Sequence, residues 1–280
     1  MNCNLPKITY PRLRTLLLAR ICEAITRKTD VEVAILSDLQ PDSEFFHRNS
    51  IIKKVRNHTS IARYQSSIAL QFGARSTQIQ EKVATQMRQL SSISLVMDLK
   101  TILLRDLTIS TTNIGLLEFE FGDWAIANWL QTVWESCSIE TDFNSAFSPA
   151  LTLSENSHIF FCQYTYSRCS ALLRLTNLPN DIGQTVETWL NDKKLLLRQE
   201  RSLIEQIIST IDEWEDKPPL ESAIALSQTF QNFYQSCQIV KYEAVDRQIA
   251  QCRLALVMIT HRLLKQLLEQ GLGVLAPETL

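Results

Sequence analysis

Between Val245 and Leu267, seven apolar side chains (Val245, Ile249, Cys252, Leu256, Ile259, Leu263 and Leu267) recur at gaps of three and four residues. That spacing gathers them on one face of a single amphipathic helix. A helix with one apolar face must bury it against neighbours, so the constraint reaches beyond the segment itself. Gly271 is placed to stop the helix, because glycine takes the left-handed conformation at low cost. Pro277 then keeps a new one from starting. Upstream, Leu203, Ile207, Ile211 and Trp214 mark a second helical face, which Lys217-Pro218-Pro219 interrupts. Phe233, Tyr234 and Cys237 have the spacing of a buried stripe, and residues 159–175, IFFCQYTYSRCSALLRL, supply a further apolar stretch. Residues 156–280 are therefore expected to form an all-α antiparallel helical bundle.

The front of the chain is patterned differently. PRLRTLLLARICEAITRK reads as an amphipathic helix started by Pro11. VEVAIL at 31–36 is β-branched and reads as a strand, and LTISTTNIGLLEFEF at 107–121 reads as two strands around a turn. WAIANWL would be a closing helix. Residues 1–134 are thus expected to be a separate α+β domain with a small sheet. The polar, acidic stretch ESCSIETDFNSAFSPALTLSE, 135–155, is expected to link it to the bundle.

Composition narrows the function classes. At 280 residues and 45% apolar content, two folded domains are expected. No apolar run is long enough to span a bilayer and none reads as a signal peptide, which sets the expectation of a cytoplasmic protein. The seven cysteines are odd in number and lie mostly in apolar helical stretches, so buried reduced thiols are expected. No pair has CxxC spacing and the four histidines are scattered, so neither a metal nor a catalytic site is expected. Six glycines are too few and too dispersed for a phosphate-cradling loop, and no cofactor is expected. The net charge of −2 is uneven: residues 1–134 carry 16 Lys/Arg against 12 Asp/Glu, hence +4, and residues 135–280 carry 12 against 18, hence −6. A nucleic-acid module usually carries a basic surplus.

Residue order says more than composition. FYQSC from Phe233, RLALV from Arg253 and the closing GLGVLAPETL resemble the final segment of the DALR-type anticodon-binding domain of arginyl-tRNA synthetases, where Met usually stands at the position of Leu280. The opening of that domain is similar to residues 159–175: Tyr164, Arg168, Cys169, Leu172 and Arg174 fit, while Thr165, Tyr166 and Ser167 replace an Ala-His-Ala. More weakly, residues 1–134 resemble the N-terminal tRNA-elbow domain of the same enzymes, with Tyr64, Ser66, Ala69 and Leu70 in place. Leu116 stands there for a Phe, and Glu118 and Ser67 stand for Asn. Leucine stacks poorly on a base and a carboxylate repels phosphate. Neither His-x-Gly-His nor Lys-Met-Ser-Lys-Ser, the nucleotide motifs of the family, occurs in the sequence.

The resemblance implies a non-catalytic tRNA-binding protein, with an arginine tRNA as the first candidate. Its partners would be tRNA and a tRNA-modifying or synthetase protein, with no membrane and no metal. The implied anticodon contacts are Tyr164, Tyr166, Arg168, Arg253, Arg262, Pro277 and Leu280. Apart from the resemblance, HRNSIIKKVRNH is the densest basic stretch, so Arg48, Lys53, Lys54, Arg56 and then Arg63 could grip phosphates, and with Asn113 they are the candidate backbone or elbow contacts. Two alternatives stay open: a protein-interaction module that has lost its RNA surface, and an accessory subunit of a split synthetase. One exposed face shared by Tyr164, Arg168, Arg253, Arg262 and the basic run at 47–58 would favour the RNA reading.

Overall fold

A computed structural model describes residues 10–26, 52–55, 61–70, 76–93, 99–137, 153–175, 198–239 and 247–280. They fall into two compact units, one within Pro11–Trp129 and the other taking up from Leu130 to Leu280.

The first unit holds α1 (Leu13–Thr26), β1 (Ile52–Lys54), β2 (Ala62–Ser66), α2 (Ser76–Ile93), α3 (Leu99–Arg105), β3 (Leu107–Thr111) and β4 (Leu117–Phe121). The helix α4 (Asp123–Cys137) begins in it. The strands form one antiparallel sheet in the order β1-β2-β4-β3. Alternation decides its faces. Ala62, Tyr64, Leu117, Phe119 and Phe121 point into the core, and Tyr64 meets Phe121 edge-on with ring centroids 5.9 Å apart. Arg63, Gln65, Glu118 and Glu120 come up on the opposite face. Leu13, Leu17 and Ile21 of α1 and Val83, Ala84 and Met87 of α2 are buried in the same unit.

The two strands expected within 107–121 are β3 and β4. Gly115, at φ +84°, turns the chain between them in a conformation that a side chain would strain. From α2, Gln80 donates to the carbonyls of Thr112 and Leu116, and Arg88 donates to that of Ile109. These bonds occupy carbonyls at the hairpin tip and along its edge strand, which would otherwise lie open to pairing. The strand expected at 31–36 lies outside the described residues.

The second unit is mostly helical: α5 (Leu153–Leu175), α6 (Arg198–Asp212), α7 (Pro219–Ser236) and α8 (Arg247–Gln266). The face read from 245–267 packs inward from Leu256 on, with Leu256, Ile259, Leu263 and Leu267 all buried. So does the face of α6, through Leu203, Ile207 and Ile211, with Trp214 following. Pro219 opens α7, where a missing N–H costs nothing. The ends of the expected 135–155 linker are helical, since α4 runs to Cys137 and α5 starts at Leu153.

The stop at the end of α8 differs from expectation. The helix widens into a π-turn over Leu267–Gly271, and the left-handed residue is Gly273, at φ +64°. The reversal there lets the Val274 N–H reach the Leu268 carbonyl at 2.9 Å, which satisfies one of the last free carbonyls of the helix.

Candidate nucleic-acid interface

The long helix α5 carries the densest set of implied contacts, and its two sides have opposite fates. Phe160, Tyr164 and Arg168 recur every four residues, so they share a stripe. Phe160 is 58% and Tyr164 45% exposed, and Arg168 is exposed as well. The Arg168 guanidinium lies over the ring of Tyr234 on α7, 4.8 Å from its centroid, and donates to the phenol oxygen. Behind that ring, Phe230 lies nearly parallel to Tyr234, with centroids 6.3 Å apart and planes 14° apart. Phe230, Tyr234 and Arg168 thus form a stack running from the buried core to the surface. Such a stack suits planar ligands: the guanidinium face can stack on another ring and its N–H edge can donate to phosphate or carbonyl oxygens.

Tyr234 was expected in the core with Phe233 and Cys237. Those two are buried, whereas Tyr234 is only half-buried and serves as the floor under Arg168. Tyr166 departs in the other direction. Two residues past Tyr164 it points roughly 200° around the helix. It is 2% exposed and stacked on His261 of α8, with centroids 4.3 Å apart. Burial pushes its phenol pKa up, and a ring so enclosed has no face left for a base. Arg253 is likewise withdrawn. Its Nε donates to Glu200 Oε1 and its NH1 to the Gln238 carbonyl, each at 2.6 Å, in an ion pair whose side chains are 11% and 3% exposed. Tyr166 and Arg253 are therefore corrected from contact residues to internal ones. Arg262 is half-buried on α8, close enough to Tyr166 and His261 for its charge to act on both.

No spacing along the chain suggested a site at His261. Its Nε2 meets Ser170 Oγ at 2.9 Å, and burial, reinforced by the nearby charges of Arg262 and Lys265, lowers its pKa to about 4. The ring is thus neutral near pH 7. Spacing along the chain gave no sign of this pair, because its members sit on different helices.

The C-terminal tail runs along α5. Gln163 donates to the Leu275 carbonyl at 2.8 Å and Ser167 to the Pro277 carbonyl at 2.6 Å, while Arg174 NH1 lies 3.8 Å from the Glu278 carboxylate. Positions 163, 167 and 174 share one side of the helix, so they hold the tail along its length. Pro277 is tied by its carbonyl, and the Leu275 and Leu280 side chains stand 68% and 64% exposed.

The elbow candidates of the first unit fare unequally. Lys53 is exposed on β1 and Lys54 half-buried beside it. Asn113 is exposed at the tip of the β3–β4 hairpin. Arg63 donates to Glu118 at 2.7 Å, and the same carboxylate accepts from Gln65 at 2.6 Å and Ser110 at 3.4 Å. The Gln65 bond and then the Arg63 bond hold the Glu118 carboxyl below its ordinary pKa. The guanidinium is thereby neutralised within the sheet. Arg48 and Arg56 lie outside the described residues.

Among the described residues no group of three or more His, Cys, Asp or Glu is placed to hold a metal ion. None of their helices is long and apolar enough to cross a membrane.

Comparison with known proteins supplies a family for the helical unit. Residues 162–280 match the DALR anticodon binding domain. The chain is 27% identical over 155 residues to an arginine–tRNA ligase of Synechococcus sp. (strain JA-3-3Ab), an alignment that covers 52% of this chain and 26% of the ligase. The chain thus spans about a quarter of the length of that relative. No solved structure matches it. Residues 162–280 of the helical unit are therefore similar to the DALR anticodon binding domain, in a chain that resembles an arginine–tRNA ligase over about half of its length.

Proposed function

We propose that this chain binds tRNA by its anticodon loop, with no amino-acid activation of its own, and that the contact surface is the stripe of Phe160, Tyr164 and Arg168 on α5 together with Tyr234 on α7. The observation that carries the reading is the guanidinium of Arg168 stacked over Tyr234. It offers a flat cationic platform beside an exposed aromatic ring, and RNA loops are recognised by splaying bases onto such platforms. Tyr164 would stack one base, and Arg168 would contact a neighbouring base edge or phosphate. The tail, with Leu280 exposed, would border the same loop, and an arginine tRNA is the first candidate. Lys53 and Asn113 would act on the tRNA backbone or elbow. The absence of amino-acid activation rests on the sequence, which contains neither nucleotide motif of the synthetases.

With a half-chain charge of −6 behind the platform, binding should be modest and release few counterions. A gel shift against total tRNA, repeated across salt concentrations, tests this. A retarded complex with a shallow salt slope is expected, and its absence at low salt would sink the reading. Arginine-dependent ATP–pyrophosphate exchange by purified protein, above that of a mock preparation, would refute the non-catalytic part.

A second reading has one observation in its favour. Phe160, Leu275 and Leu280 expose more than half of their side-chain surface, which also suits a protein surface such as that of a synthetase or a tRNA-modifying enzyme. Retention of a partner by a variant that has lost tRNA binding would favour it.

A further inference from the structure

The helical unit has an opening between the first turns of α6 and the last turns of α7, with a volume of about 300 Å³. It is lined by Arg198, Gln199 and Ser202 from α6 and by Thr229, Asn232 and Gln235 from α7. Two of these are satisfied within their own helices: Ser202 donates to the Arg198 carbonyl at 2.9 Å and Thr229 to the Ala225 carbonyl at 2.9 Å. The side-chain amides of Gln199, Asn232 and Gln235 have no hydrogen bond among the described residues, nor does the Arg198 guanidinium have an ion pair there. Among the described residues no carboxylate lines the cleft, although the surrounding half of the chain is acidic.

Three free primary amides in one opening present paired donors and acceptors, the complement of a nucleobase edge. One guanidinium at the rim suits the phosphate that a nucleotide brings with it. A cationic ligand would find no counter-charge among the lining residues. Asn232 and Gln235 lie on the same last turns of α7 as Tyr234. One helix end therefore carries the aromatic platform toward α5 and the amide cleft toward α6.

We propose that the α6–α7 cleft is a binding site for one unstacked ribonucleotide, with the amides of Gln199, Asn232 and Gln235 reading the base edge and Arg198 holding its phosphate. The assignment of this nucleotide to the anticodon loop rests on the tRNA reading above; the site itself does not.

The test separates the two. The full chain, labelled with ¹⁵N, is titrated with AMP, GMP, CMP and UMP, and with ribose 5-phosphate as the control lacking a base. Saturable shifts of the Gln199, Asn232 and Gln235 side-chain amide signals are expected with at least one nucleotide, at roughly millimolar affinity. They should be weaker with ribose 5-phosphate and lost in an Asn232→Ala, Gln235→Ala variant. No saturable shift up to roughly 10 mM, or equal shifts from ribose 5-phosphate, would overturn the site. In parallel, the same double variant should lower tRNA affinity by about tenfold, the worth of one or two base-edge hydrogen bonds. Nucleotide binding without tRNA binding would leave the cleft standing and remove the tRNA reading. tRNA binding that depends on Arg168 alone, with silent amides, would do the reverse.

Discussion

Arg168 and Arg63 are both candidate RNA contacts, one by family resemblance and the other by its place in a basic stretch, and the two units of the molecule use them in opposite ways. Arg168 rests on a neutral ring, so its charge is undiminished and its outer plane is open. Arg63 rests on Glu118, which cancels the charge and anchors the guanidinium within a polar sheet face. A cation over an aromatic ring remains available to a second partner; a cation in an ion pair must first lose its carboxylate. On the proposed function, stacking would keep the helical unit suited to RNA despite its acidic balance, and ion pairing would quiet the more basic unit.

The sharpest probe of this contrast is a third arginine, Arg253, engaged deep in the helical unit. Glu200→Ala would leave its guanidinium buried without a carboxylate, and breaking a buried pair in this way costs about 3–5 kcal/mol. Urea unfolding should show that loss. A change under about 1 kcal/mol would mean that Arg253 escapes to solvent and belongs with Arg168 after all.

Acid should act next most strongly, through His261. Its folded pKa of about 4 lies below the ordinary imidazole value of 6.5, so the unfolded chain binds the proton first. Stability is therefore complete above about pH 6.5 and falls as the pH drops toward 4, by an amount on the order of 2–3 kcal/mol. Thermal melts across that window should be steeper for the wild type than for His261→Gln. Parallel curves would show that the ring is hydrated and the stack with Tyr166 loose.

On tRNA, Tyr164→Ala and Arg168→Ala should each weaken binding about tenfold, since removing one stacked base contact costs roughly 1–3 kcal/mol. Arg168→Ala should also blur discrimination between anticodons, because base contacts specify while phosphate contacts position. Filter binding with tRNAs of different anticodons measures both. Full affinity in a folded double variant would shift preference to the protein-docking reading.

The smallest effect should come from the sheet. Arg63→Ala should change tRNA affinity less than about twofold, because its charge is already answered by Glu118. Glu118→Gln should raise affinity slightly by freeing Arg63. The Glu118 pKa is lowered in the fold, so its contribution is present at neutral pH and lost as the pH falls through that lowered value. The Gln variant should therefore lose under about 1 kcal/mol at pH 7 and less in acid. A large loss of tRNA binding in Arg63→Ala would mean that RNA displaces the carboxylate, and the contrast would break.

The sequence by itself determined the helical faces and the hairpin at 107–121. Gaps of three and four put Leu256, Ile259, Leu263 and Leu267 inside a helix bundle, because burial of a periodic face is a local property of the chain, whereas the strands at 52–54 and 62–66, which bring Tyr64 under the sheet, were not among those expected. It also carried the order of residues by which 162–280 match the DALR domain. What it did not contain is which partner meets each polar residue. Tyr164 and Tyr166 are two positions apart and equally aromatic, yet the phase of α5 against α8 exposes one and stacks the other on His261. Arg253 and Arg168 look alike as letters, and only packing gives one a carboxylate 53 positions earlier and the other a phenol ring. The reversal at Gly273 rather than Gly271 follows from the π-turn that ends α8, which no local glycine signal records. Polar side chains interact with groups remote in sequence, at ranges of a few ångströms, and those proximities exist only once the helices have docked.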